Sequence, residues 1–472
     1  MNHSLACVLL LAALGQCAPR SATTAPSTGQ RRAAACNSST TVWPNCTSFA
    51  NGDPWISQHH QELREMHPRI LALNFVNSSL SSTFSAEVDR TAAGIREGSR
   101  YHGYADPSAP AFLQPEVAYK IDLTDHGSPP AGWTHLNSTH WPIKCLQNAP
   151  YQFDYTRLFS PEYTALYDIH DPDDASRVLS LKELVTRGLV HEVWLFVDGG
   201  DKDNPAPGGD EHHPDPYQCP NGVTMNDFQV NEVIEYKQKY DANNVPLAGQ
   251  FETHAGNEGI HDSDLPVFRD LGRSLRILYI NARRGAGCGL HSLGHNFEAL
   301  GFNSDVLPYL KANFTHFANF DLDKRLGASF PHWYACAPIK GRDLQQFDYP
   351  CVNTVAWECS NQSPGNGTFD PFNQGCGSVH YPPNARYGYD DGNTAEVQTT
   401  CEHYGLKDGD GGKDATDLYK AAKALQYEGR FGGLSCQGGW MVYWRQNFPG
   451  LDNKATGVDG KPMLNWWPFL YY

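Results

Sequence analysis

The sequence predicts an α/β protein with a mainly parallel sheet and flanking helices, plus a loop-rich, disulfide-containing C-terminal half. Two observations support this class. Four short runs of Val, Ile, Leu and aromatic residues alternate with helical patterns, as in a parallel sheet that helices cover on both faces. From about residue 331 the strand signals stop, and Gly, Pro, Asn, Trp and six cysteines become prominent.

Each element is predicted from the spacing of its apolar residues. Near-continuous apolar runs predict buried parallel strands, and a helical period predicts helices. The predicted strands are residues 70–76, 117–123, 192–197 and 275–280. The predicted helices are residues 57–66, 84–100, 180–190, 226–240 and 288–301. Because strands and helices alternate along the chain, right-handed crossovers between parallel strands are expected.

The first 54 residues lie outside the predicted α/β core. Ala6–Leu14 is an apolar run too short to cross a bilayer, so residues 1–15 are predicted to be a signal peptide. Residues 16–54 are rich in Ser, Thr, Ala and Pro, which is typical of a flexible linker or pro-region. The core is predicted over residues 55–330. Residues 331–472 are predicted to form an aromatic, loop-rich region packed on it.

Cysteines and sequons also predict a secreted protein. The chain has 13 cysteines, and an oxidising export route favours several disulfides, with Cys288 among them. Asn-X-Ser/Thr sequons predict surface loops in a secreted glycoprotein. They lie at Asn37, Asn45, Asn77, Asn137, Asn313, Asn361 and Asn366.

The charge balance restricts the partners. The chain carries 36 Lys and Arg against 52 Asp and Glu, a formal net charge of −16. This excess of negative charge argues against nucleic acid or an anionic membrane surface as partner. No stretch after the signal segment has the apolar length of a membrane helix. For a secreted protein, the predicted partner is an extracellular polymer or glycan.

The segment Cys288–Glu298 concentrates more usable chemistry than any other stretch. On an α-helix, Cys288, His291, His295 and Glu298 fall within an arc of about 80°. Histidines four residues apart can bind one Zn²⁺, and Glu298 could be a further ligand or the general base. Ser292 stands where a HExxH metalloprotease helix has its glutamate, so that class is not supported.

The alternative for this segment is an ordinary amphipathic helix whose polar face meets solvent. Its opposite side carries an apolar stripe that would face the core. The residues of that stripe are Leu290, Leu293, Phe297 and Leu300.

Further site residues are predicted where the parallel strands end. Ligands gather at the carboxyl edge of such sheets, and Asp198 directly follows the strand 192–197. Asp198 is predicted to be a catalytic carboxylate or a further metal ligand. The acidic, Pro/Gly-rich loop after it, residues 199–213, offers oxygen ligands for Ca²⁺. The alternative is a solvated mobile loop.

A second loop, residues 379–390, has a histidine before a Pro-Pro turn. His380 is predicted to be a further metal ligand, and the polar residues behind it are predicted to contact substrate. Those residues are Asn384, Arg386, Tyr387, Tyr389 and Asp390. The alternative is a tyrosine-rich turn packed under a disulfide.

Aromatic residues are dense near the C-terminus, at residues 440–444 and 465–472. They could form a platform on which sugars stack. Such a tail more often docks into the core and closes the domain, and a docked tail is the prediction here.

Four sequence blocks together resemble those of a group of uncharacterised secreted proteins of bacteria and fungi. The blocks are Glu192–Phe196, Gly294–Glu298, His380–Asn384 and Asn465–Trp467. They span the chain from about residue 190 to the C-terminus, more than half of its length. That group carries no known activity, so the resemblance implies a secreted protein but no chemistry.

Together these patterns predict a secreted, metal-dependent hydrolase that acts on an extracellular polymer, with peptide slightly ahead of glycan. His291, His295 and His380 would bind the metal, with zinc as the favoured ion. Glu298 and Asp198 would be the catalytic carboxylates.

Two alternatives remain open. A metal-free glycoside hydrolase would pair Glu298 with Asp198 or Asp390, and the separation of the two carboxyl groups would decide between inverting and retaining chemistry. A non-catalytic carbohydrate-binding or surface-interaction protein would instead use exposed aromatic side chains.

Overall fold

The computed structural model describes the chain from residue 38 onward, with gaps. The described residues are 38–47, 52–125, 137–144, 151–198, 217–218, 224–225, 228–229, 233–256, 266–269, 271–303, 306–320, 375–384, 393–407, 415–432 and 436–471. All of them belong to one unit, Ser38–Tyr472.

The described elements are numbered in chain order. The strands are β1 (Val42–Trp43), β2 (Glu65–Met66), β3 (Arg69–Asn74), β4 (Glu116–Asp122), β5 (Ile143–Lys144), β6 (Tyr151–Phe153), β7 (Glu192–Val197), β8 (Tyr217–Gln218), β9 (Thr224–Met225), β10 (Phe228–Gln229), β11 (Val233–Tyr240), β12 (Pro246–Gly256), β13 (Leu275–Asn281), β14 (Val397–Thr399) and β15 (Asp417–Tyr419). The helices are α1 (Gly52–His59), α2 (Phe84–Gly98), α3 (Pro161–Tyr167), α4 (Leu181–Thr186), α5 (Pro266–Arg269), α6 (Ala286–Glu298), α7 (Pro308–Phe317), α8 (Ala421–Leu425), α9 (Glu428–Phe431), α10 (Gly438–Gln446) and α11 (Trp467–Tyr471). The 3₁₀ segments are Ser79–Thr83, Tyr155–Phe159 and Cys401–His403.

A six-stranded mixed sheet organises these elements. Its strand order is β12-β11-β13-β7-β3-β4. Strands β13, β7, β3 and β4 are parallel to one another, whereas β11 is antiparallel to both of its neighbours. The predicted α/β class with a mainly parallel sheet is confirmed. The four parallel strands are the four that the apolar runs predict.

Helices bury both faces of the sheet at its central parallel strands, which explains why β3, β7 and β13 are largely apolar, whereas the edge strand β4 keeps polar, exposed residues. On one face, Ile70, Trp194 and Leu278 belong to a core shared with α2, α6, α7 and the C-terminal helices. On the other face, Leu71 and Val193 belong to a core shared with α3 and α4. The two sets alternate along each strand, because successive side chains point to opposite faces of a sheet.

The segment 226–240 is not the helix that its sequence predicts. It contains β10 and the longer strand β11. Strand β11 pairs with β12 on one side and with β13 on the other, so both of its edges make backbone hydrogen bonds. This two-sided pairing outweighs the weak local helical preference of a polar stretch. Lys237 in β11 is fully buried, which hydrophobic periodicity does not anticipate.

Ordered structure also begins earlier than the sequence predicts. Strand β1 pairs in parallel with β2, and Trp43 is fully buried. The first helix is α1, not residues 57–66, because β2 occupies the end of that segment.

The predicted docking of the C-terminal tail is confirmed. Trp466, Trp467 and Tyr471 are each at most 1% exposed. Arg276 in β13 donates a hydrogen bond to the carbonyl oxygen of Leu470 at 2.8 Å, and its guanidinium lies 4.5 Å from the Tyr471 ring centroid. The described aromatic residues of the tail therefore complete the core.

Three of the sequons do not mark surface loops, and the prediction is wrong there. Asn45, Asn137 and Asn313 are 6%, 4% and 3% exposed. Their side-chain amide nitrogens donate hydrogen bonds to backbone carbonyl groups. A glycan would attach through that same nitrogen, which in each of these three side chains is engaged in a hydrogen bond.

Two disulfides join described residues, and one of them holds the C-terminal region to the core. Cys288–Cys436 joins α6 to the segment before α10, and Cys376–Cys401 links the start of the loop 375–384 to the 3₁₀ segment that follows β14. The predicted disulfide content is confirmed, and the Cys288 thiol is engaged in a disulfide. Among the described residues, none of the helices has the length and apolarity needed to cross a membrane.

Candidate metal centre

Helix α6 carries two of the predicted metal ligands and lies at the centre of the fold. It packs against β13, α2 and α10, and all 13 of its residues are buried. Gly285, at φ 74°, lets the chain turn sharply from β13 into the helix, a conformation that glycine adopts without penalty. The first helical N–H, at Ala286, is accepted by the Glu87 carboxylate at 2.7 Å.

The solvent-facing alternative for this helix is therefore wrong. His291 is 3% exposed, His295 is 7% exposed and Glu298 is 7% exposed. Because α6 is enclosed on every side, its polar stripe faces other protein groups and not bulk water.

The third predicted ligand, His380, comes from the loop 375–384. The Cys376–Cys401 disulfide anchors the start of this loop. The indole nitrogens of Trp440 and Trp444, both in α10, donate hydrogen bonds to backbone carbonyl groups of the loop at 3.1 Å and 2.9 Å. Helix α10 and the disulfide thus fix the position from which His380 reaches α6.

The three imidazoles converge through their Nε2 atoms. His295 Nε2 lies 3.0 Å from His291 Nε2 and 3.0 Å from His380 Nε2. The His291 and His380 rings are nearly parallel, with 18° between their planes, and His295 is nearly perpendicular to both. Tetrahedral zinc with bonds of 2.0–2.1 Å separates its nitrogen ligands by about 3.3 Å. The donor set therefore has the composition of a three-histidine zinc site. Two of its separations are close to the zinc value, and all three ligand atoms lie within 4.8 Å of one another.

No other group of three or more metal-ligating side chains of this kind occurs among the described residues. The structure therefore brings together the three histidines that the sequence predicts as metal ligands, although they come from two segments far apart in the chain.

Burial and charge hold two of these rings neutral. Burial lowers the pKa of His291 well below 6.5, and the nearby His295, His380 and Arg284 lower it further. Burial likewise lowers the pKa of His380, with contributions from His295 and Arg284. Neutral imidazole is the form that binds metal. The nitrogen lone pairs of these neutral rings are therefore available to bind a cation.

Glu298 contacts His295 at Nδ1, the ring nitrogen that does not face the other two histidines. Its Oε2 lies 2.8 Å from His295 Nδ1, and its Oε1 accepts the backbone N–H of Val379 at 2.7 Å. Both carboxylate oxygens are therefore engaged by neighbouring protein groups. A π-helical turn, Ala299–Asn303, follows directly, and such turns are frequent at functional sites.

Asp198 lies at the end of β7, as the strand pattern predicts, and forms an ion pair. Arg283 donates from Nε to Asp198 Oδ1 at 2.5 Å and from Nη2 to Oδ2 at 3.3 Å. The Asn137 side chain bonds to the backbone N–H and C=O of Asp198, each at 2.9 Å. The guanidinium neutralises this carboxylate at the edge of the sheet.

Asn384 is the one predicted substrate contact within the described residues. It is buried, and its Nδ2 donates to the carbonyl oxygens of Asn393 at 2.7 Å and Ala395 at 3.1 Å. Asn384 also borders a small cavity with Pro382 and Trp440. The other predicted contacts and the predicted calcium loop lie outside the described residues. They are Arg386, Tyr387, Tyr389, Asp390 and residues 199–213.

Sequence reasoning missed three groups at this site. They are the backbone N–H of Val379 and the side chains of Arg283 and Arg284. The two arginines follow β13 after Ala282, at the carboxyl edge of the sheet, so their position in the sequence could have indicated them. No sequence signal indicates the backbone contact of Val379.

Comparisons with known proteins add no family. No protein family, no curated protein and no solved structure matches this chain. The resemblance to uncharacterised secreted proteins stays a prediction.

Proposed function

We propose that this protein is a secreted, metal-dependent hydrolase in which His291, His295 and His380 hold a divalent metal ion, with zinc favoured. The observation that carries the proposal is the convergence of three Nε2 atoms, with two separations of 3.0 Å. Neutral imidazoles clustered this closely gain from a shared cation. Three protein ligands are also the number that a catalytic zinc site uses when its fourth position remains open.

The surroundings of the centre are compatible with catalysis. A bound divalent ion would supply Lewis acidity, polarising a substrate carbonyl and lowering the pKa of a water molecule. The positive charge of Arg284 contributes to lowering the pKa of His291 and His380, so this side chain adds positive potential at the centre. His380 is only partly buried, whereas His291 and His295 are buried, so substrate is proposed to approach from the side of His380.

The substrate is proposed to be an extracellular polymer, with peptide ahead of glycan. Signal segment and disulfides favour an extracellular site of action. Glycan binding would favour exposed aromatic platforms, but Trp440, Trp444, Trp466 and Trp467 are all buried. A carboxylate-pair mechanism gains no support either, since Asp198 is paired with Arg283 and Glu298 with His295.

Mixed peptide and oligosaccharide substrates test this proposal. The full-length protein is incubated with both mixtures before and after removal of metal by a chelator, and then with added zinc. We expect peptide cleavage that chelation abolishes and zinc restores. Cleavage that persists unchanged after complete metal removal would contradict the metal-dependent mechanism. Chelator-sensitive cleavage of oligosaccharides alone would retain the metal centre but change the substrate class.

A further inference from the structure

We infer that Glu298 is the positioning residue of the metal centre, because its carboxylate orients His295 and also holds the loop that carries His380. This inference rests on the metal site of the proposed function. It replaces the two roles that the sequence predicts for Glu298, those of metal ligand and general base.

The first oxygen of Glu298 selects the tautomer of His295. An ionised carboxylate only accepts hydrogen bonds, so the 2.8 Å contact between Glu298 Oε2 and His295 Nδ1 places the ring proton on Nδ1. The lone pair of His295 is then on Nε2, the atom that faces His291 and His380. Carboxylates behind metal-bound histidines fix ring orientation and tautomer in this way.

The second oxygen of Glu298 fixes the third ligand. Glu298 Oε1 accepts the backbone N–H of Val379 at 2.7 Å, and Val379 directly precedes His380. This contact joins residues 81 positions apart in the sequence. The Glu298 side chain therefore fixes the orientation of the His295 ring and the position of the loop that carries His380.

The same two contacts argue against a role as general base. A general base needs an oxygen within hydrogen-bond reach of the proton that it removes. Both oxygens of Glu298 already accept hydrogen bonds inside the protein, and the side chain is 9% exposed. The carboxylate is arranged to act through His295, not on a substrate.

Two substitutions separate the contacts. Glu298→Gln keeps the shape and an oxygen for Val379, but it presents an NH₂ group to His295 Nδ1 and so favours the tautomer with the proton on Nε2. Glu298→Ala removes both contacts and leaves the buried Val379 N–H without its acceptor. The matched control is Glu428→Gln, because the half-buried Glu428 also accepts a backbone N–H, that of Gly439 at 2.8 Å.

Zinc titration and NMR spectroscopy of the histidine rings measure the result in the full-length protein. We expect Glu298→Gln to bind zinc 10- to 100-fold more weakly than the wild type. We expect Glu298→Ala to be weaker still and Glu428→Gln to be unchanged. Long-range ¹H–¹⁵N spectra of the metal-free wild type should show the His295 proton on Nδ1, and those of Glu298→Gln should show it moving to Nε2.

The outcomes distinguish this inference from the proposed function. Equal zinc affinity in Glu298→Gln and the wild type would overturn the positioning role. A wild-type His295 ring with its proton on Nε2 would also overturn it. A wild type that binds no zinc overturns the proposed metal site. In that case the ring spectra of the metal-free protein still decide whether Glu298 sets the tautomer.

Discussion

At the scale of single residues, the positions of the histidine side chains decide which of them can bind a metal ion. The chain has 20 histidines, yet among the described residues only His291, His295 and His380 form a metal-ligating group. The spacing of the first two predicts a shared helix face, since residues four apart on a helix are neighbours. The sequence predicts His380 as a further ligand, but it gives no distance between His380 and the helix. The fold places His380 Nε2 3.0 Å from His295 Nε2.

The carboxylates show the limit of prediction from residue type. Glu298 and Asp198 are at the helix face and the strand end that the sequence predicts. Their roles depend on partners that are distant in the chain, Val379 for Glu298 and Arg283 for Asp198. Such contacts are set by tertiary packing, which local periodicity does not contain.

Asp417 provides a prediction about pH at a single residue outside the metal centre. Burial and the charge of Glu402 raise its pKa from 3.8 to about 6, although its Oδ2 accepts the Glu402 backbone N–H at 2.8 Å. A carboxyl group with a raised pKa binds its proton more tightly in the folded state than in the unfolded state. The free energy of unfolding therefore falls as the pH rises from about 4 to about 6.

We expect Asp417→Asn to remove this fall. The variant should match the wild type below pH 4 and be more stable above pH 6, by on the order of 2 to 3 kcal/mol. Urea unfolding between pH 4 and pH 7 measures the difference, with the exposed Asp452→Asn as control for the loss of one surface charge. Parallel pH profiles for wild type and Asp417→Asn would show that the buried carboxylate is not penalised.

Among the elements, the four parallel strands were the easiest to predict and the antiparallel edge the hardest. Strands β3, β7 and β13 are buried on both faces, so their sequences are continuous apolar runs. Strands β11 and β12 contain many polar residues and draw much of their stability from pairing with each other. A local sequence pattern does not predict which segments pair through backbone hydrogen bonds, so these two strands are hard to recognise.

Helix α6 leads to a prediction about close packing. A Cβ atom at Gly294 would lie 2.8 Å from Val379 Cγ2 and 3.0 Å from Met441 Sδ. Gly294→Ala should therefore push against the loop that carries His380. We expect it to destabilise the fold by about 1 to 3 kcal/mol and to weaken zinc binding at least about 10-fold.

The matched control is in the same helix. A Cβ atom at Gly289 would lie 3.2 Å from Ile280 and Thr91, on the side of the helix that faces β13 and α2. Gly289→Ala should change stability without changing zinc affinity. Calorimetric titration with zinc compares the two variants, and an equal loss of zinc affinity in both would contradict the proposed coupling between α6 and the loop.

At the scale of the whole molecule, contacts in the core join the α/β part of the chain to its C-terminal region. Arg276 in β13 pairs with Glu192 in β7 at 3.3 Å and also bonds the carbonyl oxygen of Leu470 in the C-terminal helix. Composition and cysteine count predicted an α/β core with a disulfide-bonded region packed on it. They could not predict that charged side chains are buried between these parts, because burial of Arg276 depends on partners that only the folded chain supplies.

Metal binding should act on this whole structure, because its ligands come from α6 and from a loop 85 residues later. An ion that binds only the folded state stabilises it by about 4 kcal/mol when its free concentration is about a thousand times Kd. A zinc-dependent rise in the unfolding temperature is the expected consequence.

Calorimetric titration of chelator-treated protein with zinc tests the central claim most directly. The three-histidine site predicts one zinc ion per chain, loss of that binding in His380→Ala, and unchanged binding in His403→Ala, which alters a half-exposed histidine away from the cluster. Absence of zinc uptake by the wild type, or equal uptake by His380→Ala, would contradict it.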